Sequence, residues 1–141
     1  TFQTLPQDQE TTKKEIREAV GIIFRNLEKM DAEALFQSYS NSMDLIFLTT
    51  DGSILNLEEA KNHHAAWFSS LSSLNVTPLS DDFRFLPGGD VICSWTGKFE
   101  MMMMSGDKYV INKFGITFIF RKINNAWKVI YQHSSALPPV K

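Results

Sequence analysis

The spacing of the apolar residues changes once along the chain, and this change limits the possible folds more than any other feature. Before about Leu74, apolar residues recur at steps of three and four, which is typical of amphipathic helices. Beyond it they alternate with polar residues, and turn signals separate four long strands near residues 74–86, 91–104, 108–122 and 127–135. Helices followed by consecutive hairpins predict an α+β fold in which N-terminal helices pack on a curved antiparallel sheet.

Two helices are predicted at the start of the chain. Thr12 and Glu15 form a capping box for a helix that runs to about Met30. Asp31 then caps a shorter helix that carries Tyr39 near its end. The stripe that the first helix is expected to bury consists of Ile16, Ala19, Val20, Ile23, Leu27 and Met30.

A small hairpin and a third helix complete the helical half of the chain. The β run 43–50 leads into Asp51-Gly52, a strong turn signal that joins it to the next short strand. Asn56 and Glu59 form a second capping box, for a helix that ends near Leu71. The apolar side of this helix collects Ala60, His64, Trp67, Phe68 and Leu71.

The length of 141 residues fits a single domain. We expect a flexible arm at residues 1–10, where no periodicity is present, one domain at 11–137 and a short tail at 138–141. The first residue is Thr1 and not Met, so an upstream export signal that was removed is one explanation. The sequence therefore leaves the compartment open.

The charge and the cysteine content argue against several classes of partner. The net charge is −2 and the fourteen Lys and Arg are scattered, whereas a nucleic acid or an anionic membrane requires clustered positive charge. No apolar run approaches the roughly 20 residues that span a bilayer. The single cysteine, Cys93, allows no internal disulfide and no thiolate zinc site, and we expect it to be a buried core residue.

No metal or cofactor site is predicted. His63 and His64 are adjacent, so on a helix they point about 100° apart, whereas metal-binding histidines of a helix are three or four residues apart. Phosphate loops, nucleophile elbows and dinucleotide fingerprints are absent from the sequence.

Alternation within the long strands predicts which residues face the helices, because every second side chain of a strand shares one face. The predicted inner face is largely aromatic. On the second long strand it contains Cys93, Trp95, Gly97 and Phe99, and on the third it contains Phe114, Ile116, Phe118 and Phe120. On the last strand it contains Trp127, Val129, Tyr131, His133 and Ser135.

Apolar residues also fall on the outer face of the predicted sheet. Ile119 and Ile130 lie there, and the run of four methionines at 101–104 puts apolar side chains on both faces. A sheet that is wetted on one side does not usually carry apolar residues there, so we expect a second copy of the chain to cover it in a homodimer. The alternative is that these are scattered surface residues.

Two stretches of the chain resemble a known superfamily. One runs from Tyr39 through Asp44 to Asp51-Gly52, and the other, 120–135, carries a Trp, a His and a Ser at positions of one parity. Together with the order of elements, they resemble the nuclear transport factor 2-like (cystatin-like) superfamily, and within it the SnoaL-like group. The resemblance implies a cone-like sheet over the helices. It implies no single activity, since this superfamily holds isomerases, dehydratases, cyclases and many non-enzymatic pockets.

The closing stretch is also similar to the association domain of calcium/calmodulin-dependent kinases. In that domain the strand before the turn carries an arginine that points into the pocket, whereas Phe118 stands at the matching position here. An anion-binding pocket of that kind is therefore not expected.

Three functions stay open on the sequence alone. The first is the binding of a small apolar or aromatic molecule. The second is an isomerase, dehydratase or cyclase that acts on a small apolar carbonyl compound, with His133 and Asp44 sharing the acid–base duty. The third is a dimerisation module. The residues expected to line the pocket are Tyr39, Phe47, His64, Trp67, Trp95, Phe118, Tyr131 and His133.

Overall fold

The computed structural model describes residues 6–141, with side chains described from Asp8 onward. Its order of elements confirms the predicted α+β class. None of the described helices is long and apolar enough to cross a membrane. The elements are α1 (Pro6–Glu28), α2 (Ala32–Phe36), β1 (Ile46–Leu48), β2 (Ile54–Leu55), α3 (Leu57–Ser69), β3 (Leu71–Phe85), β4 (Val91–Met103), β5 (Lys108–Ile123) and β6 (Ala126–Ala136).

The first helix begins earlier than predicted. It starts at Pro6, so residues 6–10 are helical, and Thr12 and Glu15 lie inside the helix and do not cap it. Proline is favourable in the first turn of a helix, and Gln and Glu are good helix formers, so the helix extends beyond its apolar stripe. The rest of the predicted arm, residues 1–5, lies outside the described residues.

The caps predicted for the other two helices are confirmed. Asp31 accepts a backbone N–H at the start of α2, and Asn56 and Glu59 exchange hydrogen bonds in a capping box at the start of α3. The second helix is shorter than predicted, because it ends at Phe36 and leaves Tyr39 beyond it.

The strands form one six-stranded sheet in the order β2-β1-β6-β5-β4-β3. The four long strands pair as consecutive antiparallel hairpins, and β1 and β2 form the small hairpin, as predicted. One pair departs from the predicted antiparallel arrangement, because β1 lies parallel to β6, and the sheet is therefore mixed. A helix and four strands separate these two strands in the chain, so no tight turn forces them to run antiparallel.

One extra residue in β6 interrupts the alternation of its side chains. Phe120 pairs with Val129, whereas Ile119, the neighbouring residue on the same strand, pairs with Tyr131. Ile130 is therefore the additional residue of a β-bulge. Beyond this point the faces of β6 are exchanged, because the side-chain period of a strand is two.

The bulge overturns part of the predicted inner face. Gln132 and Ser134, predicted to face outward, are buried, with only 5% and 6% of their surface exposed. His133 and Ser135, predicted to face the helices, are exposed, and Tyr131 lies on the outer face with them.

The inner faces of β4 and β5 are as predicted. Every second residue is buried from 91 to 101 and from 116 to 120. Trp95 stacks on Phe24 of α1 with 4.1 Å between the ring centroids. Gly97 provides the space for this ring, because a Cβ atom at that position would lie 2.1 Å from the nearest Trp95 ring atom.

The last residues of the chain run back along the beginning of β5. Val140 exchanges two backbone hydrogen bonds with Val110, at 2.7 and 2.9 Å, and the Leu137 N–H donates to the Lys113 carbonyl at 3.0 Å. We name residues 137–141 the C-terminal strap.

Candidate functional site

A cavity of about 280 Å³ lies between the helices and the inner face of the sheet. Helices α1 and α3 line one side and strands β4, β5 and β6 line the other, while Pro139 of the C-terminal strap contributes to the wall. The volume is close to the lower end of the range for small-molecule sites, about 300 Å³.

Aromatic side chains form much of the wall. Phe99 and Phe114 stack with their centroids 4.3 Å apart and their planes within 5° of parallel. Phe118 is fully buried and meets Phe24 edge to face at 6.5 Å. Trp67 of α3 is half-buried on the opposite side. Because these rings also pack on each other, the wall has a defined shape before any ligand binds.

Three polar side chains meet at one end of the cavity. The Tyr39 hydroxyl donates a hydrogen bond to Gln132 Oε1. Gln132 Nε2 in turn points at Ser134 Oγ, over a longer distance of 3.4 Å. Burial raises the pKa of Tyr39, so its phenol stays protonated and remains a hydrogen-bond donor.

Two features of the backbone bring these polar groups together. The bulge in β6 turns the amide and the hydroxyl inward. Tyr39 is held against the same strand, because the Ser40 N–H donates to the Val129 carbonyl at 2.8 Å and the Val129 N–H donates to the Ser38 carbonyl at 3.0 Å. The polar end of the cavity is therefore positioned by main-chain contacts.

His64 of α3 forms part of the wall as an uncharged ring. Its Nδ1 donates to the Ala60 carbonyl at 2.9 Å, since a carbonyl oxygen can only accept. The rings of Phe36 and Phe47 meet it edge to face, with centroids at 5.1 and 5.2 Å. Burial lowers the pKa of His64 to about 4, so at neutral pH its Nε2 carries a lone pair.

The neighbouring residue, His63, lies at the exposed rim of the cavity with Thr50. Asp51, in the turn of the small hairpin, accepts hydrogen bonds from the Thr49 hydroxyl and the Ser53 N–H. These hydrogen bonds lower the pKa of Asp51 to about 2, and the bond from Thr49 has the largest effect. A permanent negative charge therefore lies near His63, outside the cavity wall.

The ionisable side chains in the described lining of the cavity are Tyr39, His63 and His64. Among the described residues that line it there is no carboxylate, lysine or arginine. Within residues 6–141, no group of three His, Cys, Asp or Glu is placed to hold a metal ion.

Most of the residues predicted to line a pocket do meet in this cavity. Those in its wall are Tyr39, Phe47, His64, Trp67 and Phe118. Trp95 is buried, but it packs on Phe24 and is not part of the lining.

The predicted acid–base pair does not meet there. His133 is exposed on the outer face of the sheet and Tyr131 shares that face, so their predicted inward placement is wrong, and the bulge is the physical reason. Asp44 is exposed in the loop before β1. Its negative charge adds to that of Asp90 in raising the pKa of Arg121. Neither His133 nor Asp44 lines the cavity.

Sequence reasoning placed Gln132 and Ser134 on the wrong face. Strict alternation cannot detect an extra residue in a strand. One signal was available, because Val129, Ile130 and Tyr131 form a run of large apolar residues where alternation expects a polar one. Such a run is compatible with a bulge, but it does not locate the extra residue.

A comparison with protein families supports the resemblance seen in the sequence. A family model described as SnoaL-like domain matches residues 16–140, which is nearly the whole chain. A comparison with curated proteins gives no match.

Solved structures share the fold at low sequence identity. A nuclear transport factor 2-like superfamily protein from Salmonella enterica serovar Typhimurium is 17% identical, with a TM-score of 0.81 over 92% of this chain and 94% of that chain. A proposed dehydratase of the same family from Streptomyces avermitilis is 14% identical, with a TM-score of 0.79 over 91% and 97%. A proposed scytalone dehydratase from Novosphingobium aromaticivorans is 7% identical, with a TM-score of 0.86 over 96% and 91%. At these identities the likeness establishes the fold alone.

Proposed function

Because the chain belongs to the SnoaL-like domain family, we propose that its cavity binds a small, neutral and mostly apolar molecule, with an aromatic compound as the best fit. The observation that carries the proposal is a preformed cavity of about 280 Å³ with largely apolar walls and a few polar groups gathered at one end. An apolar cavity of about 150 Å³ can hold benzene, so this one has room for about two rings, such as a naphthalene, and the additional phenyl ring of a larger probe would lie in its open mouth.

Packing supports this proposal. An open space of this size removes contacts from every side chain around it, and such a loss costs stability. The rings that surround it are nevertheless held in a defined arrangement by one another and by the sheet. A ligand that fills the space would restore the missing contacts.

Electrostatics support a neutral ligand. An anion inside the cavity would meet the uncharged His64 and no lysine or arginine of the described lining, and His63 lies at the exposed rim. A cation would likewise find no carboxylate there. A charge buried without a partner is strongly unfavourable.

The test uses two fluorescent probes with one aromatic skeleton. N-phenyl-1-naphthylamine is neutral, and 1-anilinonaphthalene-8-sulfonate carries a negative charge. We expect the neutral probe to bind with one site per chain and increased fluorescence, and the sulfonate to bind at least about tenfold more weakly, a difference of about 1.4 kcal/mol.

A pair of matched variants locates the site. Ile116 lines the cavity, whereas Ile123, at the far end of the same strand, does not. Ile116→Phe is expected to fill part of the cavity and abolish binding of the neutral probe, and Ile123→Phe is expected to retain it. If the probe does not bind the native chain, or if both variants bind it equally well, the proposed function is wrong.

Acid–base chemistry on a carbonyl compound is a second candidate, and the state of His64 is the observation that favours it. Its Nδ1–H donates a hydrogen bond to the Ala60 carbonyl, so Nε2 carries no hydrogen and is an uncharged base among apolar side chains. In a dehydration, Nε2 would take the proton from the carbon next to the carbonyl and pass it to the hydroxyl group on the following carbon, which leaves as water while a C=C double bond forms between these two carbons. His64 thus replaces His133 and Asp44 in this role.

A β-hydroxyketone tests this second candidate. Dehydration of 4-hydroxy-4-phenylbutan-2-one gives a conjugated enone whose formation is followed by ultraviolet absorbance. We expect turnover by the native chain, its loss in His64→Phe and its retention in His133→Phe, the same change on the outer face. Equal rates with and without the native chain contradict the enzymatic role but not the binding function.

The outer face of the sheet supports a second copy of this chain as its partner, in a homodimer. Cross-strand pairing aligns four large apolar side chains across β1, β6, β5 and β4, which are Ile46, Tyr131, Ile119 and Ile92. The row ends at Arg84, which forms an ion pair with Asp82. A second copy related by a two-fold axis could place the same row against it, because such an interface is self-complementary.

Sedimentation at micromolar concentration tests the dimer. Ile119→Lys places a charge in the centre of the row and is expected to give monomers, whereas Leu79→Lys, at an exposed position of the edge strand β3, is expected to leave the dimer intact. If the native chain still sediments as a monomer at about 100 μM, a stable dimer is excluded.

A further inference from the structure

The hydrogen bonds at the polar end of the cavity have a direction. Tyr39 donates to Gln132 Oε1, which fixes the amide so that its nitrogen faces Ser134. The nitrogen is a donor, so Ser134 Oγ is the acceptor of the next bond. The chain of donors therefore runs from Tyr39 through Gln132 to Ser134.

Two hydrogens are left over at the end of this chain. The Gln132 amide has two N–H groups, and only one of them points at Ser134. The hydroxyl hydrogen of Ser134 has no acceptor in the part of the chain that the structure describes. A buried donor without a partner is less favourable than an acceptor with a spare lone pair.

The neighbouring side chains cannot supply the missing acceptor. Gln132 is flanked across the sheet by Phe118 on one side and Phe47 on the other. Ser134 is paired with Ile116. All three of these neighbours are apolar and line the same cavity, so the two hydrogens lie beside a space that a ligand can occupy.

We propose that the ligand presents a neutral hydrogen-bond acceptor, a ketone or amide carbonyl, to Gln132 Nε2 and Ser134 Oγ. This inference rests on the proposed binding function and specifies the polar group of the ligand. A carboxylate would also accept both hydrogen bonds, but it would bring a buried charge beside Gln132 and Ser134, where the described lining has no lysine or arginine. Gln132 and Ser134 therefore determine specificity for a carbonyl over a hydrocarbon of the same shape.

Two probes of nearly identical shape isolate this contribution. In 2-acetylnaphthalene the ketone oxygen stands where 2-isopropenylnaphthalene has a methylene group. Their affinities are measured by displacement of N-phenyl-1-naphthylamine. We expect the ketone to bind about 3- to 10-fold more tightly than the alkene, the effect of one or two modest hydrogen bonds, and 2-naphthoate to bind more weakly than the ketone.

Variants of two adjacent serines assign the preference to the inner face. Ser134→Ala removes the free hydroxyl and is expected to reduce the preference for the ketone to less than about twofold, and Ser134→Thr is expected to restore part of it. Ser135→Ala is the control, because Ser135 is exposed on the opposite face of the same strand. It is expected to keep the full preference.

The outcomes distinguish the inference from the function on which it rests. Equal affinity of the native chain for the ketone and the alkene overturns the inference and leaves the apolar binding site in place. If 2-naphthoate binds more tightly than 2-acetylnaphthalene, the proposal that the acceptor is neutral is overturned. Failure of N-phenyl-1-naphthylamine and of every naphthalene probe to bind overturns the proposed function itself. The comparison of probes on the native chain needs no variant, so a folding defect in Ser134→Ala leaves the test valid.

Discussion

At the scale of single residues, the uncharged state of His64 makes stability depend on pH. Its pKa is about 4 in the folded chain, against an ordinary value of 6.5. The unfolded chain therefore takes up a proton at a higher pH than the folded chain does. The contribution of His64 is complete above pH 6.5 and is lost as the pH falls toward 4, by on the order of 3 kcal/mol.

Urea unfolding at several pH values between 4 and 7 checks this prediction. The free energy of unfolding should rise with pH across this range in the native chain, and much less steeply in His64→Phe. His133→Phe, which changes an exposed histidine, should keep the native slope. Identical slopes in the native chain and His64→Phe would show that the ring is not held uncharged by burial.

Loss of the Tyr39 hydroxyl is also expected to lower the free energy of unfolding. Tyr39→Phe keeps the ring but leaves the buried oxygen of Gln132 without its donor, at a cost of about 1–3 kcal/mol in the free energy of unfolding. Tyr131→Phe makes the same change on the outer face and should cost less than about 0.5 kcal/mol. Denaturant unfolding of the two variants measures the difference, and equal costs would contradict the buried hydrogen bond.

At the scale of elements, the contact between α1 and β4 depends on the absence of a side chain at Gly97. Gly97→Ala would place a Cβ 2.1 Å from the Trp95 ring and 2.9 Å from the Thr77 carbonyl oxygen, so the ring that stacks on Phe24 has to move. We expect a loss of about 1–3 kcal/mol in the free energy of unfolding.

Gly115→Ala is the control for this prediction, because the nearest atom to its added Cβ is 3.4 Å away, in the adjacent strand. It should change the free energy of unfolding by less than about 1 kcal/mol, since overpacking is absent there. Thermal unfolding monitored by circular dichroism separates the two variants. A neutral effect of Gly97→Ala would mean that Trp95 relocates without loss of packing.

The elements also show how far the sequence could predict the structure. The periodicity change, the turn residues and the cap residues Asp31 and Asn56 act locally, so the helices and hairpins could be predicted from them. The start of α1 at Pro6 could not, because that turn is formed by intrinsic propensity without an apolar stripe.

The faces of the strand residues were predicted correctly where alternation holds and incorrectly where it fails. Phe118 lies on a regular stretch of β5, so its parity gave its face correctly. Gln132, Ser134 and His133 follow the bulge at Ile130, and a single extra residue reverses the face of all three. The position of a bulge depends on pairing with a strand elsewhere in the chain, which a local pattern does not contain.

At the scale of the whole molecule, one sheet carries the cavity on its inner face and the row of Ile46, Tyr131, Ile119 and Ile92 on its outer face. Successive side chains of β5 and β6 point to opposite faces, so a side chain in the outer row does not enter the cavity. We therefore expect Ile119→Lys, which is designed to separate the dimer, to change the affinity for N-phenyl-1-naphthylamine by less than about threefold, less than 1 kcal/mol.

Fluorescence titration of that variant at concentrations where it is monomeric checks the independence of the two faces. Leu79→Lys provides the comparison at equal added charge. A loss of affinity of tenfold or more in Ile119→Lys alone would mean that the second copy supports the shape of the cavity.

The C-terminal strap has a practical consequence for anyone who produces this protein. Pro139 belongs to the cavity wall, and two hydrogen bonds at Val140 hold the strap against β5. An affinity tag fused directly after Lys141 would begin two residues beyond Val140, close enough to pull the wall away or to obstruct the exchange of a bound compound. Purification handles for screening experiments should therefore be joined through a long flexible spacer, or cleaved before compounds are tested.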